Sequence, residues 1–312
     1  MNLGGPDTPE AIRPFLINLF SDPAIINLPF PVRWVLARLI AWRRAEVARD
    51  IYDHLGGGSP LFANTEAQAR ALEEVLGGGY RCFVAMRYWH PLTAETVAAV
   101  KDWQPDEVVC LPLYPQFSTT TTASSLAVWR REAKRRGLST PTRVVQPYPT
   151  AAGFIAALAG LTAAVLGEAE TSHRVRLVLT AHGLPLKIVD GGDPYPNQIE
   201  ETAGAVIAAL GRGDLGRADL DWVVCYQSRV GPLAWLGPAT EDEIRRAGRD
   251  GVAVVVAPIS FVSEHSETLV GLDRDYRRLA EACGVPGYYR VPAVGTDPRF
   301  IAALANLVAT AT

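Results

Sequence analysis

Residues 252–259 read VAVVVAPI, and residues 260–276 continue as SFVSEHSETLVGLDRDY. The first stretch is apolar at nearly every position, which is the reading of a strand buried on both faces rather than one with a wet side. The second gathers Glu264, Glu267, Asp273, Asp275 and His265 into the first turns of what reads as a helix. Acids and an imidazole at the exit of a sealed strand mark the first place to look for chemistry.

Outward from this strand the same alternation recurs. Short β-rich runs at 80–86 (YRCFVAM), 107–113 (EVVCLPL), 143–146 (RVVQ), 174–181 (RVRLVLTA) and 222–226 (WVVCY) are separated by alanine-rich helical stretches such as TAETVAAVKDW and NQIEETAGAVIAAL. That order argues for βα units and an α/β fold with mostly parallel sheets flanked by helices. A break near QPYPTAAGF divides the chain into two halves with the same alternation, so the expectation is two similar doubly wound domains, 1–147 and 148–312, with a cleft between them. The start is unusual: NLGGPDTPEAIRPFL reads as a glycine turn and a helix with Thr8 at the N-cap and Pro9 behind it, yet only Met1 and Asn2 precede the turn. The first strand of that domain is therefore expected to be missing or to lie upstream of Met1.

Thirty basic and thirty-three acidic side chains leave a formal charge of −3, a balance in which nothing suggests a nucleic-acid footprint, and 48% hydrophobic residues in a 312-residue chain are enough for substantial cores. Cys82, Cys110, Cys225 and Cys283 stand far apart with no metal or cluster spacing, the pattern of thiols in a reducing cytosol. No signal peptide and no uninterrupted apolar run long enough to span a bilayer is read, and the expected location is cytoplasmic. Residues 25–44, IINLPFPVRWVLARLIAWRR, leave two readings open: a helix lying at a membrane interface, or one packed on the domain with its arginine stems along the surface. Pro29 and Pro31 are expected to limit that helix to a few turns.

Ligands of open α/β sheets sit beyond the carboxyl ends of the strands, so the residues after each run carry the functional argument. There the sequence places RYWHP (87–91), YPQFSTTTTASS (114–125), HGLP (182–185), QSRVGPLAWLGPAT (227–240) and the stretch after 259. Neither phosphate-binding glycine motif nor a G-x-S-x-G nucleophile elbow occurs. What remains is His182 with Glu264, His265 and Glu267, surrounded by Tyr88, Trp89, Tyr114, Phe117, Trp235 and Phe261: a proton acceptor and carboxylates in apolar surroundings.

Eight of these segments in this order, NLGGPD, GGGSPLF, RYWHPLT, LYPQFSTTTTASSL, AHGLP, GDPYPNQIEET, QSRVGPLAWLGPAT and FVSEHSETLVGLDRDY, resemble the ferrochelatases over nearly the whole chain. The resemblance implies insertion of ferrous iron into a porphyrin, protoporphyrin IX or else coproporphyrin. His182 would work at the porphyrin centre, with Glu267 across the macrocycle from it and His265 and Glu264 as further metal-side groups. Arg87, Tyr88, Tyr114, Ser118, Trp235 and Phe261 would line the porphyrin site, and Arg43, Arg44 and Ser59 would lie near the propionates or the active-site lip. Gly271 departs from the acidic ridge that many relatives carry. No cysteine follows Cys283, so no iron–sulfur cluster and no permanent cofactor is expected, and the partners are porphyrin and Fe2+. Elementary chemistry agrees with this reading, because metallation removes two pyrrole protons and needs a base, a counter-anion and apolar walls. A cobalt chelatase acting on a more acidic tetrapyrrole would want extra basic residues and a second histidine near 182, and the sequence offers neither. A porphyrin carrier without activity is the reading from another class.

Overall fold

The computed structural model describes residues 1–211, 220–229, 231 and 233–312, so Val230 and Pro232 of the 227–240 motif lie outside the described residues. The chain divides into two compact units, Met1–Gln146 with Leu304–Thr312, and Pro147–Ala303. The final residues therefore return to the first unit, where the sequence reading carries the second domain to the C-terminus.

Unit 1 contains α1 (Ile12–Phe20), α2 (Phe30–Asp53), α3 (Leu61–Leu76), α4 (Thr93–Trp103), β1 (Val108–Cys110), α5 (Ser124–Arg136) and β2 (Thr142–Val144). Its sheet has two strands, β1 and β2, parallel and in the register Val109 opposite Arg143. The strand expected at 80–86 does not form; Met86 alone is bridged, to Asn2 and Leu92. A strand is a pairing and not a local conformation, so a β-rich run without a partner alongside stays irregular. The helix expected to be short is long: α2 runs for 24 residues because Pro31 occupies its first turn, where the missing N–H has no helical partner to lose. Thr8 does precede a helical turn, Pro9–Ala11, but without capping it through its side chain.

Unit 2 contains α6 (Ala152–Glu170), β3 (Val175–His182), α7 (Leu186–Asp190), α8 (Tyr195–Gly211), β4 (Asp221–Gln227), α9 (Thr240–Asp250), β5 (Ala253–Pro258), α10 (Arg277–Ala282), β6 (Tyr288–Arg290) and α11 (Pro298–Ala309), whose last turns belong to unit 1. The sheet is fully parallel with the order β4-β3-β5-β6. β5 is the quoted valine run, and Ala253 through Ala257 are completely buried because helices cover both faces. α6 packs with α8 and against β3, β5 and β6, whereas α9 packs with α10 and against β3, β4 and β5. Right-handed crossovers put the helices that lead left from β3 and right from β5 on opposite faces. The strand order reverses between β3 and β5, which makes the carboxyl ends of those two strands the switch point where such folds bind ligands. α6 is long and apolar enough to cross a membrane by length and composition; here Phe154, Ile155, Leu158 and Leu166 are buried within unit 2.

Candidate active site

β3 ends on His182 and β5 is followed by the loop 259–266, so the switch point brings together the two stretches singled out by sequence. His182 Nδ1 lies 2.9 Å from Glu267 Oε2, with side-chain exposures of 40% and 33%. The same carboxylate oxygen accepts from the Ser228 hydroxyl at 2.7 Å and from Gln227 Nε2 at 3.4 Å. Burial disfavours charge on both groups, but each supplies the other's countercharge. His182 is raised above the ordinary imidazole value by Glu267, and Glu267 is held well below the usual carboxylate range by His182, His265 and Ser228. A carboxylate accepts only, so it fixes the neutral His182 proton on Nδ1 and leaves the Nε2 lone pair as the basic atom.

The resemblance places Glu267 across a macrocycle from His182. The direct hydrogen bond corrects this, because nothing flat fits between groups 2.9 Å apart. The stretch expected to be helical from Ser260 also differs: residues 260–266 form a loop, and Glu267–Tyr276 is a π-helix. Its start is shaped by His265, whose Nδ1 accepts the Glu267 N–H at 3.2 Å and whose carbonyl accepts the Thr268 hydroxyl at 3.0 Å. Burial lowers His265 below the ordinary value, which keeps it a neutral acceptor. Phe261 stands edge-on to His265 at 4.6 Å and to His182 at 6.5 Å, an apolar wall between the two imidazoles.

Glu264, expected among the metal-side groups, faces elsewhere. Arg290 of β6 pairs with it at 2.5 Å and holds Asp273 in a two-pronged contact at 2.8 Å, and the Ala293 N–H also donates to Glu264. Asp275 pairs with Arg274 at 2.7 Å. These acids are loop and helix supports, and among the described residues no group of three or more His, Cys, Asp and Glu converges at metal-binding distance. Trp235 is bridged to Pro185 and packs over Gly183, where any Cβ would lie 2.9 Å from the Gln227 carbonyl and 3.4 Å from the indole. Glycine at 183 is thus what lets the His182 strand tip lie against the end of β4.

In unit 1 the sequence candidates gather around a residue that sequence reading missed. Asp22 Oδ2 accepts from Arg87 Nη2 at 2.6 Å, the Tyr88 hydroxyl at 2.7 Å and the Ser124 hydroxyl at 2.5 Å. Burial works against this carboxylate, yet the donors hold it below its ordinary value. Tyr88 is fully buried with its hydroxyl engaged there, so it is a core residue, a correction to its reading as porphyrin-lining. Ser118 is likewise buried and caps the π-helical turn Thr119–Ala123 by accepting from the Thr120 N–H. Tyr114 is half-buried with its phenol pushed up by burial. Ser59 packs against Gly5, whose added Cβ would meet its hydroxyl, while Arg43 is exposed and Arg44 half-buried on α2.

Comparison with known proteins decides the family. The family model described as Ferrochelatase matches residues 1–312. The chain belongs to the ferrochelatase family. It is 53% identical over 312 residues to a ferrochelatase of Caulobacter vibrioides, covering 98% of this chain and 87% of that one. A ferrochelatase of Wolbachia, from Drosophila simulans, is 48% identical over 311 residues, covering 98% and 96%. Among solved structures, SirB from Bacillus subtilis with Fe3+ superposes with a TM-score of 0.54 at 13% identity over 79% of this chain and 88% of that one, a likeness of fold alone. As a ferrochelatase the protein is a lyase of haem biosynthesis that inserts metal into a porphyrin, with ferrous iron and porphyrin as substrates.

Proposed function

We propose that the substrate is protoporphyrin IX and that His182 is the group that takes its pyrrole protons. One observation carries this reading: the switch-point imidazole is paired through Nδ1 to a depressed carboxylate, which leaves Nε2 as a base whose strength is raised toward the working pH. Insertion balances as Fe2+ plus the free-base porphyrin giving the metallated ring and two protons. His182 Nε2 accepts a proton, the Glu267 carboxylate neutralises the imidazolium that results, and the pair passes the proton to solvent through its exposed edge. Phe261 and Trp235 offer apolar contact beside the imidazole.

Protoporphyrin is favoured over coproporphyrin by the composition of α2. Arg38 stacks 3.6 Å over Trp34 and Arg33 donates to the Leu28 carbonyl; of the three arginines that remain on α2, Arg43 and Arg44 form an adjacent pair and Arg49 lies further along, on a helix otherwise exposing Phe30, Val35, Leu39 and Trp42. Two cations suit two propionates better than four. The same mixture of exposed aromatics and arginines supports peripheral contact of residues 25–44 with a membrane surface by a cytoplasmic protein. We also expect no iron–sulfur cluster: Cys110 and Cys225 are buried, and burial pushes both thiols up to about 12, the opposite of a thiolate ligand. Steady-state insertion of Fe2+ into the two porphyrins tests the substrate. A kcat/KM about tenfold or more higher for protoporphyrin is expected, and a preference for coproporphyrin overturns the reading.

A further inference from the structure

Residues 192–196 read GDPYP and lead from α7 into α8. Asp193 is buried, and its Oδ1 accepts the Tyr195 N–H at 3.1 Å, the side-chain turn that an aspartate before proline favours. The Pro194 carbonyl accepts the Gln198 N–H at 3.2 Å and opens the helix, with Pro196 in a first turn where its missing N–H has no helical partner to lose. Tyr195 is thereby the first residue of α8 and is buried, with its phenol hydrogen-bonded to the Ser260 hydroxyl in the loop after β5. A buried tyrosine needs a partner for its hydroxyl, and this partner stands beside the proposed proton acceptor.

β3 and β5 pair in parallel as far as Thr180 opposite Pro258, and the Ile259 N–H still donates to the Thr180 carbonyl at 2.9 Å. Alternation along a strand turns the N–H of His182 toward the same neighbour. β5 has ended by then, and a side chain completes the rung: the His182 N–H donates to Ser260 Oγ at 3.1 Å. On the opposite edge the Gly183 N–H donates to the Gln227 carbonyl at 2.9 Å. The tip of β3 that carries the imidazole is thus held by backbone on one edge and by a serine hydroxyl on the other. A hydroxyl can turn about its Cα–Cβ bond, and a second hydrogen bond, here to the Tyr195 phenol, stops it turning. Burial pushes that phenol up, and the nearby Glu267 and Asp193 carboxylates push it the same way, so Tyr195 stays a neutral hydrogen-bond partner and not a proton carrier.

We propose that Tyr195 and Ser260 are positioning residues for metal insertion: the phenol fixes the serine hydroxyl, the hydroxyl fixes the His182 backbone, and the imidazole is thereby aimed at the pyrrole proton. Both act through His182, so the inference rests on His182 being the proton acceptor. Misplacing such a group by about 1 Å costs rate up to about 100-fold without a matching loss of binding, which is the signature a positioning role leaves.

Steady-state Fe2+ insertion tests these contacts in Tyr195→Phe, Ser260→Ala and the double variant. Each single variant is expected to lower kcat about 10-fold to 100-fold with the porphyrin KM unchanged. The double variant is expected to lose no more than Ser260→Ala alone, because the phenol then has no hydroxyl to fix. Ser260→Thr keeps the hydroxyl and is expected to retain kcat. Losses that multiply in the double variant, a raised KM with kcat kept, or equal losses in Ser260→Thr and Ser260→Ala overturn the proposal. If Tyr195→Phe fails to fold, the contrast between Ser260→Ala and Ser260→Thr decides it. His182→Ala, measured alongside, separates two failures. Normal kcat in both single variants beside a deficient His182→Ala overturns the positioning alone, whereas near-normal turnover of His182→Ala overturns the role of His182 on which it rests.

Discussion

Two carboxylates, one in each unit, have the same local arrangement and different uses. Asp22 in unit 1 and Glu267 in unit 2 each gather three side-chain donors on one oxygen, and each is held below its ordinary value against the opposing effect of burial. Asp22 is 2% exposed and its cation is Arg87, a guanidinium that stays charged at any pH the protein meets. Glu267 is 33% exposed and its cation is His182, which changes charge near neutrality. A permanent ion pair ties elements together; a titratable one is able to move protons, the role proposed for His182. The difference that assigns chemistry to one site is therefore the partner, not the depressed carboxylate.

Removing the imidazole should break the comparison most severely. His182→Ala is expected to lower kcat for insertion by about 100-fold to 10,000-fold, the range lost when a positioned proton acceptor is deleted, while absorbance titration still reports porphyrin binding. Near-normal turnover would refute the role given to His182. The counterpart in unit 1 is Asp22→Asn, which leaves Arg87 in a pocket only 15% exposed without its countercharge. It should destabilise unit 1 by about 3 kcal/mol, read as a lower urea midpoint, and leave the pH dependence of the surviving activity unmoved.

Glu267→Gln sharpens the same contrast through pH. The proton acceptor must be neutral, so insertion by the unaltered protein should rise with pH through the raised His182 value and level off above it. Taking away the carboxylate leaves burial as the dominant influence, which lowers His182, and the acid limb of kcat/KM should move to lower pH with a reduced plateau. The sign for folding follows from the same pair. Glu267 is depressed in the folded state, so its contribution is present above its unfolded value near 4.5 and is lost as pH falls below it. His182 is raised, so its contribution is present below 6.5 and is lost as pH climbs through the higher folded value.

The legible parts of the molecule were those set by local pattern. A strand sealed on both faces becomes an unbroken valine run, so β3, β4 and β5 could be read to within about two residues, and with them the exits that carry His182 and Glu267. What escaped was decided by long-range pairing or by backbone geometry. β6 is three residues long between Gly287 and Val291, too short to show a period, yet its Arg290 ties Glu264, expected on the metal side, and Asp273 into the loop and helix as structural partners. Asp22 precedes Arg87 by dozens of positions in an ordinary-looking SDPA turn. The π-helix differs from an α-helix only in which carbonyl each N–H reaches, and composition does not record that.

Ser228 gives the smallest and most discriminating prediction, because two of its properties can be separated. Its hydroxyl donates to Glu267, and its backbone is left-handed at φ 66°, a region where a side chain is strained and glycine is not. Ser228→Ala and Ser228→Gly both remove the donor, so both should let Glu267 rise while leaving it ionised, concentrate its charge on His182 and shift the acid limb of kcat/KM slightly to higher pH by the same amount. Only the glycine variant relieves the backbone, so it should be the more stable of the two by about 1 kcal/mol in urea unfolding of unit 2. Equal stability would mean the loop after β4 relaxes freely. A pH profile that differs between the two variants would mean that the backbone of residue 228, rather than its hydroxyl, positions the Glu267–His182 pair.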